Sequence, residues 1–183
     1  GTKARIREEA LRLFAERGVD AVSVRDIAGA VGMSPANLYA HYRGRDELVA
    51  DLFATGYAEY GRRLTEAARA PGGFRDRLGA MVRLICRLHD EDEALFRFLL
   101  LTQHRHLETM ELADGENPIE VVQGAVAEAM EADEIPARDP ALVAAAVVGI
   151  VVQAATFRLY GRLGRGLGEM ADEIAALCWK AVS

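Results

Sequence analysis

Apolar residues recur at helical spacing along the whole chain, and no segment alternates apolar and polar residues long enough to make a strand. This periodicity restricts the fold to an all-α one. Ile6, Ala10, Leu13 and Phe14 form one stripe and predict a first helix over residues 3–17, closed by Gly18. Ser23 has the character of an N-cap, with Asp26 at the third position as a capping-box partner. The short helix it opens turns Val24, Ile27, Ala28 and Val31 inward and stops at Gly32. Ser34-Pro35 then marks another helix start, a cap followed by proline at the first helical position. Two short helices joined by a glycine turn, behind a longer one, make a helix-turn-helix arrangement.

After Arg43-Gly44-Arg45 a long helix is expected over 46–69, with Leu48, Leu52, Phe53, Tyr57, Tyr60 and Leu64 on one side. Ala70-Pro71-Gly72-Gly73 reads as a linker. Further helices are expected at 74–90, 92–106 and 118–132, then from Pro140 to Leu163, and a last one after Gly164-Arg165-Gly166. The expected division is a helix-turn-helix domain over residues 1–46 and a helical body over 47–183.

Charge supports two bodies with different tasks. The 183 residues carry a net charge of −6, which by itself disfavours nucleic acid. Residues 1–50, however, hold eight Lys/Arg against seven Asp/Glu, whereas residues 51–183 hold 14 against 21. The acidic excess lies wholly in the second part, and local charge steers binding. Cys86 and Cys178 form no metal-ligand spacing and fit a reducing cytoplasm, the expected location. No basic stretch followed by an apolar run opens the sequence, so no secretory signal is expected. Ala141–Phe157 is a run of 17 uncharged residues. It falls short of the ~20 needed for a membrane span, so a helix enclosed by protein on all sides is expected there, with no membrane partner.

The N-terminal 48 residues resemble the DNA-binding domain of the TetR family of transcriptional regulators. The resemblance runs through Ala10-Leu11-Arg12-Leu13-Phe14-Ala15-Glu16-Arg17-Gly18, Ser23-Val24-Arg25-Asp26-Ile27-Ala28 and Gly32-Met33-Ser34, then Leu38-Tyr39-Ala40-His41-Tyr42 and Arg45-Asp46-Glu47-Leu48. Tyr42 stands where the family usually has Phe, Arg45 where it usually has Lys, and Gly29 where many members carry Lys. The remaining 135 residues resemble the family only in layout. The resemblance implies a homodimer, a palindromic double-stranded operator, a ligand cavity in the helical body, and repression as the sign of regulation.

In a helix-turn-helix the second short helix enters the major groove, led by its N-terminal residues. Leu38 and Tyr42, four apart, are expected to face the core. Pro35, Ala36, Asn37, Tyr39 and His41 are then left outside. Asn37 suits adenine through its two-pronged amide, and Ala36 suits a thymine methyl. Ser34, Tyr39, His41 and Arg45 suit phosphates, and Arg25 either a base or a phosphate. Each has a plainer reading: Ser23 and Ser34 are caps with or without DNA, and Tyr39 can pack against the first helix.

The helix from Pro140 is rich in small residues, and the last helix places Met170, Ile174, Leu177 and Cys178 at helical spacing. Two such helices from each of two copies would form a four-helix bundle across a two-fold axis. An intramolecular core fits the same pattern. Tyr57, Tyr60, Met81, Ile85, His89, Phe96, Leu99, Gln103, Gln153 and Phe157 are the candidates for lining a small-molecule site with apolar walls and a few polar groups. They also describe an ordinary core. No HExxH, GxSxG, P-loop or GxGxxG occurs, and Cys86 with His89 lacks a third ligand, so neither a cofactor nor catalysis is expected. The reading is a dimeric regulator released by a small, largely apolar effector of unknown identity. The alternative is a helical small-molecule-binding protein or enzyme whose first domain no longer reads a specific site.

Overall fold

The boundaries of the helices follow from their caps. The computed structural model describes residues 1–107 and 110–183. Among these residues it holds helices α1 (Thr2–Arg17), α2 (Val24–Val31), α3 (Pro35–Tyr39), α4 (Arg45–Ala67), α5 (Phe74–Glu91), α6 (Glu93–His106), α7 (Pro118–Glu131), α8 (Pro140–Leu159) and α9 (Ala171–Val182), with no strand. Ser23 and Asp26 form the expected capping box at α2. Ser34, Asn117 and Asp139 each cap a helix that begins with proline. Missing backbone N–H groups and preset φ angles at those prolines suit a first turn.

The chain gathers into two compact units, residues 1–56 with 94–110 and residues 57–93 with 111–183. In the first, Ile6, Ala10, Leu13 and Phe14 of α1 are buried together with Ile27, Leu38, Tyr42, Leu48 and Phe53. Phe14 stacks on Phe98 of α6 with ring centroids 5.9 Å apart, and Phe53 stacks on His106 at 5.0 Å.

In the second unit α5 packs on α9, α7 on α8, and α8 on α9. Gly61 is required on α4, because a side-chain carbon there would lie 2.2 Å from the Glu116 carbonyl oxygen. Arg62 donates to Glu116 at 2.7 Å and Thr65 to the Gly115 carbonyl at 3.1 Å, fixing the same crossing. Arg138 donates to the Ala181 and Val182 carbonyls and so closes the end of α9.

Helix α8 ends at Leu159, four residues before the sequence suggests, where Gly161 turns the chain at φ 69°. Val143, Ala144, Val147, Val151 and Ala155 are buried, but the opposite side is not. Leu142 is 69% exposed, Phe157 46% and Tyr160 67%, with Leu177 of α9 at 55%. The expectation of a helix enclosed on all sides is therefore not met, because its neighbours within the unit cover one side only. Among the described residues α8 is the helix long and apolar enough to cross a membrane by length and composition.

One carboxylate ties α5 to the start of α9. Asp90 accepts from the backbone N–H of Leu167 at 3.1 Å and of Gly168 at 2.7 Å, and lies 2.8 Å from Nδ1 of the buried His89. Burial alone would raise the Asp90 carboxyl, but the bonds from His89, Gly168 and Leu167 outweigh it and hold it below its ordinary value. A carboxylate depressed by folding contributes stability above its unfolded pKa and loses it as pH falls through the lower folded value. Asp90→Ala is expected to cost about 1 kcal/mol at pH 7, the lower end for a charge-assisted bond because the group is partly exposed. Urea melts check this, and the gap between variant and wild type should narrow below about pH 4.

Candidate nucleic-acid interface

The turn between α2 and α3 is built for a sharp reversal. Gly32 adopts the left-handed conformation at φ 76°, and the Met33 N–H returns to the Ala28 carbonyl at 2.9 Å. This closes α2 in the manner of a glycine C-cap. Ser34 Oγ accepts from the Asn37 N–H at 3.2 Å, and α3 runs for only five residues before a turn leads to Tyr42. Leu38 and Tyr42 are buried, at 0% and 1% exposure, as are Ile27 and Ala28 of the same unit. With that side fixed, Ser34, Pro35, Ala36, Asn37 and Tyr39 are exposed, as is Arg25 on α2; His41 and Arg45 are half-buried.

The eight cations of residues 1–50 are not equally available. Arg5 donates to the Val31 carbonyl at 3.1 Å and closes the end of α2. Arg7 is paired with Asp51 at 3.0 Å, Arg12 with Glu9 and Glu16, and Arg17 with Asp26 at 3.7 Å. Arg45 donates to the Val19 and Asp20 carbonyls at 3.4 and 3.1 Å, and clamps the start of α4 to the loop after α1. The side chains of Arg25 and Arg43 have no carboxylate partner among the described residues, although the Arg43 backbone N–H donates to Glu47 at 2.6 Å. Arg43, flanking α3, therefore joins the candidate interface ahead of Arg45. The sequence offered no means of ranking the two arginines, because the clamp spans some 25 positions.

The ligand candidates do not form one set. Phe96, Leu99 and Gln103 belong to the first unit, and Tyr57, Tyr60, Met81, Ile85, His89, Gln153 and Phe157 to the second. Tyr57, Tyr60, Met81, His89, Phe96 and Leu99 are buried, while Ile85 and Gln103 are half-buried. Burial pushes the Tyr57 hydroxyl up to about 12 and Tyr60 higher still, so both remain neutral donors at physiological pH. Gln153 and Phe157 lie on the exposed side of α8, away from any core. A groove of about 400 Å³ does open in the second unit, but Arg63, Glu66, Ala67, Ala80, Arg83, Leu84 and Arg87 line it, and none of the ten candidates does. Burial pushes the Cys86 and Cys178 thiols up to about 11, which keeps them protonated. No group of three His, Cys, Asp or Glu that would hold a metal occurs among the described residues.

The geometry defines a helix-turn-helix domain with an exposed recognition helix. Residues 6–52 match the family model of bacterial regulatory proteins, tetR family. A curated relative, the HTH-type transcriptional repressor KstR2 of Mycobacterium tuberculosis, is 44% identical over 45 residues, which are 25% of this chain and 22% of the relative. KstR2 of Rhodococcus jostii is 38% identical over 52 residues, 28% of this chain and 26% of the relative. The chain thus matches about a quarter or less of the length of these relatives. Among solved structures, the transcriptional regulator FadR of Bacillus subtilis in complex with stearoyl-CoA is similar at a TM-score of 0.81 and 16% identity, over 98% of this chain and 99% of that one. A tetR-family regulatory protein from Rhodococcus RHA1 reaches 0.81 at 22% identity, over 100% and 97%. At those identities the likeness establishes a shared fold over the full length. The proteins so matched are transcriptional regulators, not enzymes.

The two arginines separate experimentally. Arg45→Ala should lower stability by about 1 kcal/mol through its lost hydrogen bonds, while Arg43→Ala should stay within about 0.5 kcal/mol of wild type. Denaturant melts without DNA make the comparison.

Proposed function

We propose that the chain is a ligand-responsive transcriptional regulator that represses from a palindromic DNA operator as a homodimer and is released by a small, largely apolar effector. The observation that carries this reading is the exposed side of α3. Asn37 and Tyr39 face outward from a helix whose other side is buried, with the uncommitted Arg25 and Arg43 nearby. Asn37 reads a base, Ala36 approaches a thymine methyl, and Ser34, Pro35 and Tyr39 sit against the backbone with His41 and Arg25. Arg45 acts chiefly by holding α4 in place. Residues 1–46 read DNA, and residues 47–183 dimerise and sense the ligand, in the cytoplasm where the operator is.

The exposed side of α8 supports the dimer. Leu142, Gly149, Gln153, Phe157 and Tyr160 follow one another at helical spacing, and Leu177 of α9 is also uncovered. A second copy covering this surface buries apolar area, and a palindrome read by two copies calls for recognition helices about 34–36 Å apart, one DNA turn. Gln153 and Phe157 are then interface residues. The neutral hydroxyls of Tyr57 and Tyr60 on α4, with Met81, Ile85 and His89 on α5, suit an effector that is mostly apolar, and a protein of the same fold is solved with stearoyl-CoA. Because α4 carries both these tyrosines and the Arg45 clamp, moving the helix alters the reading head. An effector acts this way only by binding the released form better, with a coupling of ~1–3 kcal/mol as the usual scale.

Selection of bound sequences from random duplexes is expected to return a palindrome. On it, Asn37→Ala should lose ~1–3 kcal/mol of discrimination at one base pair, and Tyr39→Ala should weaken all sequences alike. Unchanged binding in both variants would remove the assignment.

A further inference from the structure

The short recognition helix is fixed at its far end by a polar junction that a purely apolar core would not need. Tyr42 is almost wholly buried, and phenylalanine would fill the same space. Its hydroxyl instead donates to Asp51 Oδ2 on α4 at 2.5 Å. Arg7 of α1 donates to the same oxygen at 3.0 Å and lies 3.4 Å from Thr55 Oγ1, one turn further along α4. The Lys3 ammonium stands 5.0 Å from the centre of the Tyr42 ring. One carboxylate therefore gathers α1, α4 and the turn that ends α3.

We propose that Asp51 is a positioning residue for DNA reading, fixing the exit of the recognition helix by accepting from Tyr42 and Arg7 at once. This rests on the DNA-reading function given above. Packing at Leu38 is non-directional and tolerates a small rotation of a five-residue helix. A charge-assisted hydrogen bond from an aromatic ring held in the core is directional and removes that freedom. Reading by Asn37 needs its amide within about 0.5 Å of its place, whereas long phosphate-binding side chains adjust. The junction therefore governs selectivity more than general affinity for DNA. Burial and the neighbouring Asp51 both hold the Tyr42 hydroxyl protonated, so it remains a donor across the physiological range.

The test compares wild type, Tyr42→Phe, Asp51→Ala and the double variant, using the palindrome selected by the wild-type protein and a scrambled duplex at one salt concentration. Tyr42→Phe is expected to stay folded and to bind the palindrome about three- to tenfold more weakly, with scrambled-duplex affinity unchanged. The double variant should be no worse than Asp51→Ala, since both act at one junction. Without DNA, the amides of residues 40–42 should exchange about tenfold faster in Tyr42→Phe, while those of α1 keep their protection. Equal losses on both duplexes, or wild-type exchange with wild-type selectivity, would overturn the proposal. If the wild-type protein selects no sequence, the DNA reading itself fails, and the exchange measurement still decides whether Tyr42 and Asp51 fix the helix exit.

Discussion

A five-residue helix has almost no stability of its own, since the cost of nucleating it is never repaid along its length. Everything the first domain does therefore depends on what holds α3 from behind. Leu38 and Tyr42 are inserted into a core made by Ile6, Ala10, Ile27 and Leu48, and that burial leaves Asn37 and Tyr39 no inward option. The same constraint explains the caps. Ser34 satisfies the Asn37 N–H at the entry, and Gly32 permits the reversal that brings α3 across α2. The exposed surface is thus a consequence of the buried one.

Local signals were legible in the sequence where their cause is local. The serine and asparagine caps, the prolines at first helical positions and the apolar stripes all act within a few residues, and the starts of α2, α3, α7 and α8 lie where they indicate. The inward turn of Leu38 and Tyr42 was legible for the same reason. Interactions across long stretches of sequence were not. Arg45 suits a phosphate by residue type, while its bonds to Val19 and Asp20 join positions some 25 apart, and nothing near Tyr42 in the chain announces Asp51 or Arg7 as its neighbours. The early end of α8 depends on a positive φ at Gly161, although three more glycines lie within the next seven residues and could have served equally well on paper.

The second half of the chain shows how composition alone misleads. The uncharged stretch of α8 has the content of a core helix, yet the unit that contains it covers only one side. Apolar content measures how much surface must be hidden, not which partner hides it. A symmetric copy is the partner the proposed operator geometry requires, because a palindrome presents two equivalent half-sites and needs two equivalent reading heads. The charge is divided along the sequence as well: the acidic excess lies in residues 51–183, while the side chains of Arg25 and Arg43 carry no carboxylate partner among the described residues.

The most direct measurement is methylation protection of guanine N7, which lies in the major groove, on the palindrome selected by the wild-type protein. Two protected patches related by the two-fold axis are expected, centred about 34–36 Å apart on one side of the duplex, with protection reduced in Asn37→Ala. Protection confined to minor-groove positions, or a single patch with no symmetric mate, would contradict it.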